Sequence, residues 1–162
     1  MVSYRLVIGI IVGIAFSFFT GLFFDMDGIL PIIQVTAGSN ALKIVTILIG
    51  WNFEHDFISF FTENPSIVNF FAPQLLACIF IGYLSGSISK GVKRGLIASS
   101  LVTAVDLAIW WLLSVLSGED LAALFQGAQL IATVGGIISA LIGAILGGLI
   151  GGLISGPYEE VY

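Results

Sequence analysis

Asp106, within "LVTAVDLAIWW", is the residue whose type and place could do chemistry, a carboxylic acid at the centre of an otherwise apolar run. If that run crosses a membrane, a charge there costs at least about 2.5 to 3.5 kcal/mol, which makes the group a functional candidate by default. No Lys or Arg lies at comparable depth in the other apolar runs. The carboxyl therefore either carries a proton or is bonded to polar neighbours, with Thr103, Ser17, Ser139 and Tyr83 as the candidates. Polar glue and a proton or cation site both follow from that setting.

The other chemistry-bearing residues offer less. Glu54-His55-Asp56 holds the only histidine, and consecutive helical residues point in different directions, so a solvated polar face is expected there instead of a metal site. Cys78 is the only cysteine, which excludes an intrachain disulfide and a thiolate cluster. Trp110 and Trp111 with Tyr83 fit an aromatic box or a lipid-interface belt. The sequence has no phosphate-binding loop, no Gly-x-Ser-x-Gly, no His-Glu-x-x-His and no paired aspartates within its apolar runs. No catalytic residue, metal or cofactor is expected, and the chain reads as a non-enzyme.

The elements that must position Asp106 follow from composition. At 58% hydrophobic and 9% charged, with mean hydropathy +1.12, the 162 residues lie outside the usual range of water-soluble domains. The net charge of −5 comes with no basic face, so nucleic acid is not expected as a partner. A hydrocarbon core about 30 Å thick takes roughly 20 apolar residues to cross. Leu6 to Phe24, Leu96 to Leu116 and Leu130 to Ile154 are long enough, and Ile67 to Ile88 is interrupted only by Pro73, Gln74 and small residues. Pro73 is expected to kink that second span, with Asn64-Pro65 as a cap and first-turn proline ahead of it. The first span exceeds a signal-peptide core and no small-x-small cleavage site follows it, so it reads as a retained anchor.

Charge then counts the crossings. Arg5 precedes the first span, and Lys90, Lys93 and Arg94 lie in "SGSISKGVKRG"; the positive-inside rule puts both on the cytoplasmic side, with an even number of spans between them. The sequence therefore predicts an all-α bundle of four transmembrane helices at about 6–24, 66–88, 96–116 and 129–154, in one membrane domain of the cell membrane, with both termini cytoplasmic. Residues 25–64 become a partly structured external segment. Within it, "IIQVTAGSNALKIVTI" fits a hairpin around Gly38-Ser39-Asn40, and residues 30–49 stay open. For Asn52 to Phe61 a surface helix is preferred, with Phe53, Phe57, Phe60 and Phe61 on one face.

The last span carries "GAILGGLIGGLISG". In water such a density of glycine would fray a helix at about 1 kcal/mol each, but in lipid unsatisfied backbone costs more, so the stretch reads as a membrane helix. Its small residues recur every four positions in two interleaved series, through Gly135, Ser139, Gly143, Gly147 and Gly151, and through Gly136, Ala140, Ala144, Gly148 and Gly152. Four exceeds 3.6, so the flat stripe winds by about 40° per step and meets either a strongly crossing partner or several helices in succession. Gly9 and Gly13 of the first span and Gly82 and Gly86 of the second are the candidate packing partners.

"MVSYRLVIGIIVG", "IGYLSGSISKGVKRG" and the Gly-xxx-Gly tail resemble small multi-pass membrane proteins of unknown function that are common in archaea. The resemblance implies a fold and no catalytic residues, and Asp25 to Asn64 departs from it. The expected role is a packing or accessory subunit of a membrane assembly, formed with copies of itself or with other membrane subunits in the lipid bilayer. The alternative is a proton or ion pathway using Asp106 and the glycine-rich last helix.

Overall fold

The computed structural model describes residues 4–36, 38, 40–62, 65–66 and 70–157, and these are helical with no strand among them. In chain order the helices are α1 (Tyr4–Ser17), α2 (Thr20–Phe24), α3 (Met26–Thr36), α4 (Ala41–Gly50), a 3₁₀ turn (Trp51–Phe53), α5 (Phe57–Thr62), α6 (Pro73–Ser89), α7 (Val92–Leu116), α8 (Leu121–Leu124) and α9 (Gly127–Ile154). Two stretches are long and apolar enough to cross a membrane: α7, and α9 from Gln129 onward. Only 28% of the apolar window in α7 and 44% of that in α9 is buried, so much of each faces outward.

α9 packs chiefly on α6 and then on α7, while α1 lies across both. Lys90 and Gly91, both with positive φ, form the tight turn that reverses the chain between α6 and α7. Gly9 lies against Ser85 and Ser89, and Gly152 against Gly91 and Val92, so the ends of α1, α6, α7 and α9 meet there. Arg5, Lys90, Lys93 and Arg94 thus gather at one end of the bundle. Asp25 follows α2, Glu54 follows the 3₁₀ turn, and Glu119 and Asp120 follow the far end of α7, where Glu54 and Glu119 line one cavity and make the opposite end acidic.

Several sequence expectations change. The first apolar run is not one helix, because α1 stops at Ser17 and α2 starts at Thr20. Pro73 does not kink a helix begun at 66. It opens α6 at its first turn, where a missing N–H costs nothing; Asn64 and residues 67–69 lie outside the described residues. The described residues of 30–49 form two helices and no hairpin strand, and Asn40 caps α4 by accepting from the Leu42 N–H at 2.9 Å. The surface helix expected over 52–61 is helical only at Phe57–Thr62, while Trp51, Asn52 and Phe53 are buried between the long helices.

The interior is unusual in kind. Among the described residues twelve buried side chains are polar and twelve are apolar, while large apolar ones such as Ile11, Leu112, Leu153 and Ile154 are exposed. Small hydroxyls dominate the polar set because they return their proton to a carbonyl three or four residues back, as Ser85 does to Gly82, Ser89 to Ser85 and Thr103 to Ser99. A side chain that satisfies itself along its own helix leaves the interhelical surface flat.

Candidate functional site

The site forms where two broken helices meet. α1 ends at Ser17, and the last carbonyls of a helix have no partner along the chain. Within a bundle those groups need donors from elsewhere. Asn52, 3% exposed, supplies one: its Nδ2 donates to the Ser17 carbonyl at 3.0 Å and to the Ile49 carbonyl at 3.3 Å. Its Oδ1 accepts from Thr20 Oγ1 at 2.7 Å, and that hydroxyl also lies 2.8 Å from the Ser17 carbonyl. Cys78 Sγ donates to the Asn52 carbonyl at 3.5 Å. One amide side chain thereby ties the break in α1 to the 3₁₀ turn after α4.

Asp106 sits beside this junction, 3% exposed. Ser17 Oγ lies 3.0 Å from Asp106 Oδ1 and 2.7 Å from the Ile14 carbonyl. A hydroxyl has one proton, and a carbonyl has none to offer. When Asp106 is ionised, Ser17 donates to it. When Asp106 carries a proton, it can donate to Ser17, which then donates to Ile14. The same serine can serve both forms of the acid without a basic partner.

A cavity opens against the carboxyl, lined by Asn52, Phe53, Cys78, Thr103, Asp106 and Ala140 among others. Its free volume of about 10 Å³ is at the threshold for a single water molecule. No lysine or arginine lines it. Of the four partners the sequence offered for Asp106, Ser17 is the one bonded to it. Thr103 lines the cavity but donates to the Ser99 carbonyl, and the Ser139 hydroxyl is buried without a partner. Tyr83 lies in a separate apolar groove with Phe24, Leu76 and Ile150, so it forms no box with the tryptophans.

A second, larger cavity of about 280 Å³ lies toward the acidic end, lined by Thr46, Phe53, Glu54, Trp110, Glu119 and Gln129 among others. Trp110 stacks on Phe53 with centroids 5.4 Å apart and planes at 20°. Trp111 instead meets the edge of Phe125. Glu54 is exposed at the cavity rim, yet the surrounding walls and then Asp25 push its carboxyl above the usual range. His55 is partly buried, which lowers its imidazole against the opposing pull of Asp56. Asp56 caps α5 by accepting from the Ile58 N–H at 3.0 Å. Among the described residues no three His, Cys, Asp or Glu gather to hold a metal ion.

The glycines of α9 are used inside the chain. Gly143 faces Leu75 and Cys78, Gly147 the Ile79 carbonyl and Tyr83 N, and Gly151 the Tyr83 carbonyl and Ser87, all on α6. Gly148 meets Gly95 and Ser99 of α7, and its own carbonyl meets Gly86; Gly82 meets the Ala144 carbonyl. Gly135 and Gly136 meet Asp56 and the Phe53 carbonyl. On α1, Gly13 meets Val102 and Ser85. The stripe winds from the segment 53–58 to α6 and α7, leaving these glycines enclosed by their own chain.

Asn52 was missed in the sequence because it reads as part of a polar helix face. The available signal was length: the apolar stretch before it is too short to cross a membrane, and segments of about 10 to 14 residues are read as buried or re-entrant. Compared with family models, curated proteins and solved structures, the chain matches none. Its geometry alone defines the class, an all-helical chain with a buried carboxyl held at the junction of two helix breaks.

Proposed function

We propose that the chain is a four-span integral membrane protein in which Asp106 carries a proton between the two sides of the bilayer. The observation behind this reading is the Ser17 hydroxyl, placed to serve both the protonated and the ionised acid in a chamber with no basic lining residue. Broken helices whose ends meet at a buried polar group are the usual construction of transporter sites. A chamber at the size limit for one water favours a proton over a hydrated metal cation. For the bilayer, the support is the exposure of large apolar side chains around a hydroxyl-rich interior, since soluble monomers rarely expose apolar patches beyond a few hundred Å².

In this reading α1–α2, α6, α7 and α9 are the spans, and the 3₁₀ turn after α4 enters the bundle from the outer side. The basic end faces the cytoplasm. Cysteines placed at exposed Gly38 and Lys93 in a Cys78→Ala background test the sidedness: an impermeant maleimide applied to intact cells should label Gly38→Cys and spare Lys93→Cys. Labelling of Lys93→Cys from outside would overturn the orientation.

The carrier role is tested in proteoliposomes holding a pH-sensitive dye. The wild type should pass protons down a gradient, and Asp106→Asn, which keeps the shape but not the exchangeable proton, should fall to the level of empty liposomes while its melting temperature stays close to that of the wild type. A wild type without proton flux would end this reading. An accessory subunit, the other role the sequence supports, would need a contact face other than the glycine stripe, which is covered by α6 and α7.

A further inference from the structure

We propose that the cavity at the acidic end is the entrance by which protons reach Asp106, and that the Phe53 ring is the movable partition between entrance and chamber. The inference rests on the carrier reading for its purpose, but its geometry is independent of it. Phe53 is the one residue that lines both cavities. Asn52, before it in the chain, faces the chamber, and Glu54, after it, faces the entrance. The 3₁₀ turn therefore threads between the two spaces, with Phe53 in the wall of each.

That ring is held on two sides. Its face lies on Trp110 in the stacked arrangement, and its own carbonyl is seated against Gly136 of α9, where a side chain would not fit. Trp110 is in turn set by Gly50, because a Cβ there would come within 2.6 Å of the indole Nε1. The backbone of Phe53 is thus fixed, and its side chain belongs to a core cluster with Ile49, Cys78 and Ala140 as well as Trp110. Swinging the ring out of that cluster, a local opening of the core, would join about 280 Å³ of outer cavity to the small chamber. Glu54 and Glu119 line the outer space and no Lys or Arg does, so its field favours cations.

Cys78 lines the chamber and is the only cysteine, which makes it a native reporter of access. Its thiolate attacks the sulfenyl sulfur of a methanethiosulfonate; a disulfide forms, the S–S bond of the reagent breaks, methanesulfinate leaves with the electron pair and the thiol proton passes to buffer. Folded wild type in detergent should react slowly with the cationic 2-aminoethyl reagent. Phe53→Ala should react about tenfold faster or more, because access then no longer waits on a local opening. In that variant the cationic reagent should outrun the anionic 2-sulfonatoethyl reagent by about tenfold beyond their ratio on free cysteine, and adding Glu54→Gln with Glu119→Gln should abolish that excess.

Trp110→Leu, which removes the surface that holds the ring, carries the same expectation if Phe53→Ala does not fold. An unchanged Cys78 rate in a folded variant, or equal preference for the two reagents, would overturn the proposal. Acceleration with the expected charge preference, in a protein whose wild type passes no protons, would leave the partition standing and remove Asp106 as carrier.

Discussion

Gly147→Ala lowers the melting temperature by roughly 5 °C or more and Gly147→Leu prevents folding, whereas Gly38→Ala is close to neutral. The difference is in what a single added methyl meets. At Gly147 it meets the Ile79 carbonyl and the Tyr83 amide nitrogen, which belong to the backbone of α6 and cannot turn away as a side chain can. At Gly38 nothing lies within 4 Å. Forcing extra groups into a packed interface costs about 1 to 3 kcal/mol, and about 1 kcal/mol corresponds to 2–4 °C for a chain of this size. Gly148→Ala should behave like Gly147→Ala, because its methyl would meet the Ser99 hydroxyl and the Gly95 carbonyl. Thermal melts in detergent decide it: an unchanged melting temperature for Gly147→Ala would mean that α6 and α9 do not meet backbone to backbone at Gly147.

Exchanging acid and amide at two positions should give opposite results. Asp106→Asn retains hydrogen-bonding capacity toward Ser17, and stability should change little. Asn52→Asp is the same exchange in reverse, yet it removes the donor that Ser17 and Ile49 accept from and sets an acid against two carbonyls. Buried groups left without partners cost about 1 to 3 kcal/mol apiece, more for charged ones, so Asn52→Asp and Asn52→Leu should each lose about 3 kcal/mol or more. Asp106→Leu strips only the Ser17 contact, and Ser17 still has the Ile14 carbonyl to donate to. It should therefore be milder than either Asn52 variant. Denaturant unfolding of the four proteins measures the order, and an Asn52→Leu protein as stable as wild type would remove Asn52 as the tie between the helix breaks.

That ordering was out of reach of the sequence, and the reason is physical. Asp106 is legible because an acid within a long apolar run is conspicuous from its neighbours alone. Asn52 is not, because its neighbours in the chain are aromatic and charged, and two of the groups it satisfies, at Ser17 and Thr20, lie 35 and 32 positions away. The break after Ser17 is equally hidden. Phe18 and Phe19 carry no turn signal, and the interruption persists because Asn52, held by Thr20, supplies a donor to the freed carbonyl. Gly38 and Asn40 do signal a turn, but turn chemistry joins two helices as readily as two strands. The β-branched residues around them could not decide between the two, since local preference yields to whatever packs alongside.

What the sequence determined by itself is whatever depends on one helix at a time: long apolar runs must close their own hydrogen bonds, small residues spaced by four make a stripe that winds, and three of the five basic residues cluster between Lys90 and Arg94. What only the tertiary structure decided is what depends on two segments at once. That α9 spends its glycines on α6, α7 and the Phe53 carbonyl, that Pro73 begins a helix, and that Phe53 stands between two cavities are facts about surfaces meeting. A helix face specifies its own shape through its side chains, but the partner that fills it is chosen by the close approach and hydrogen-bond satisfaction of the whole chain together.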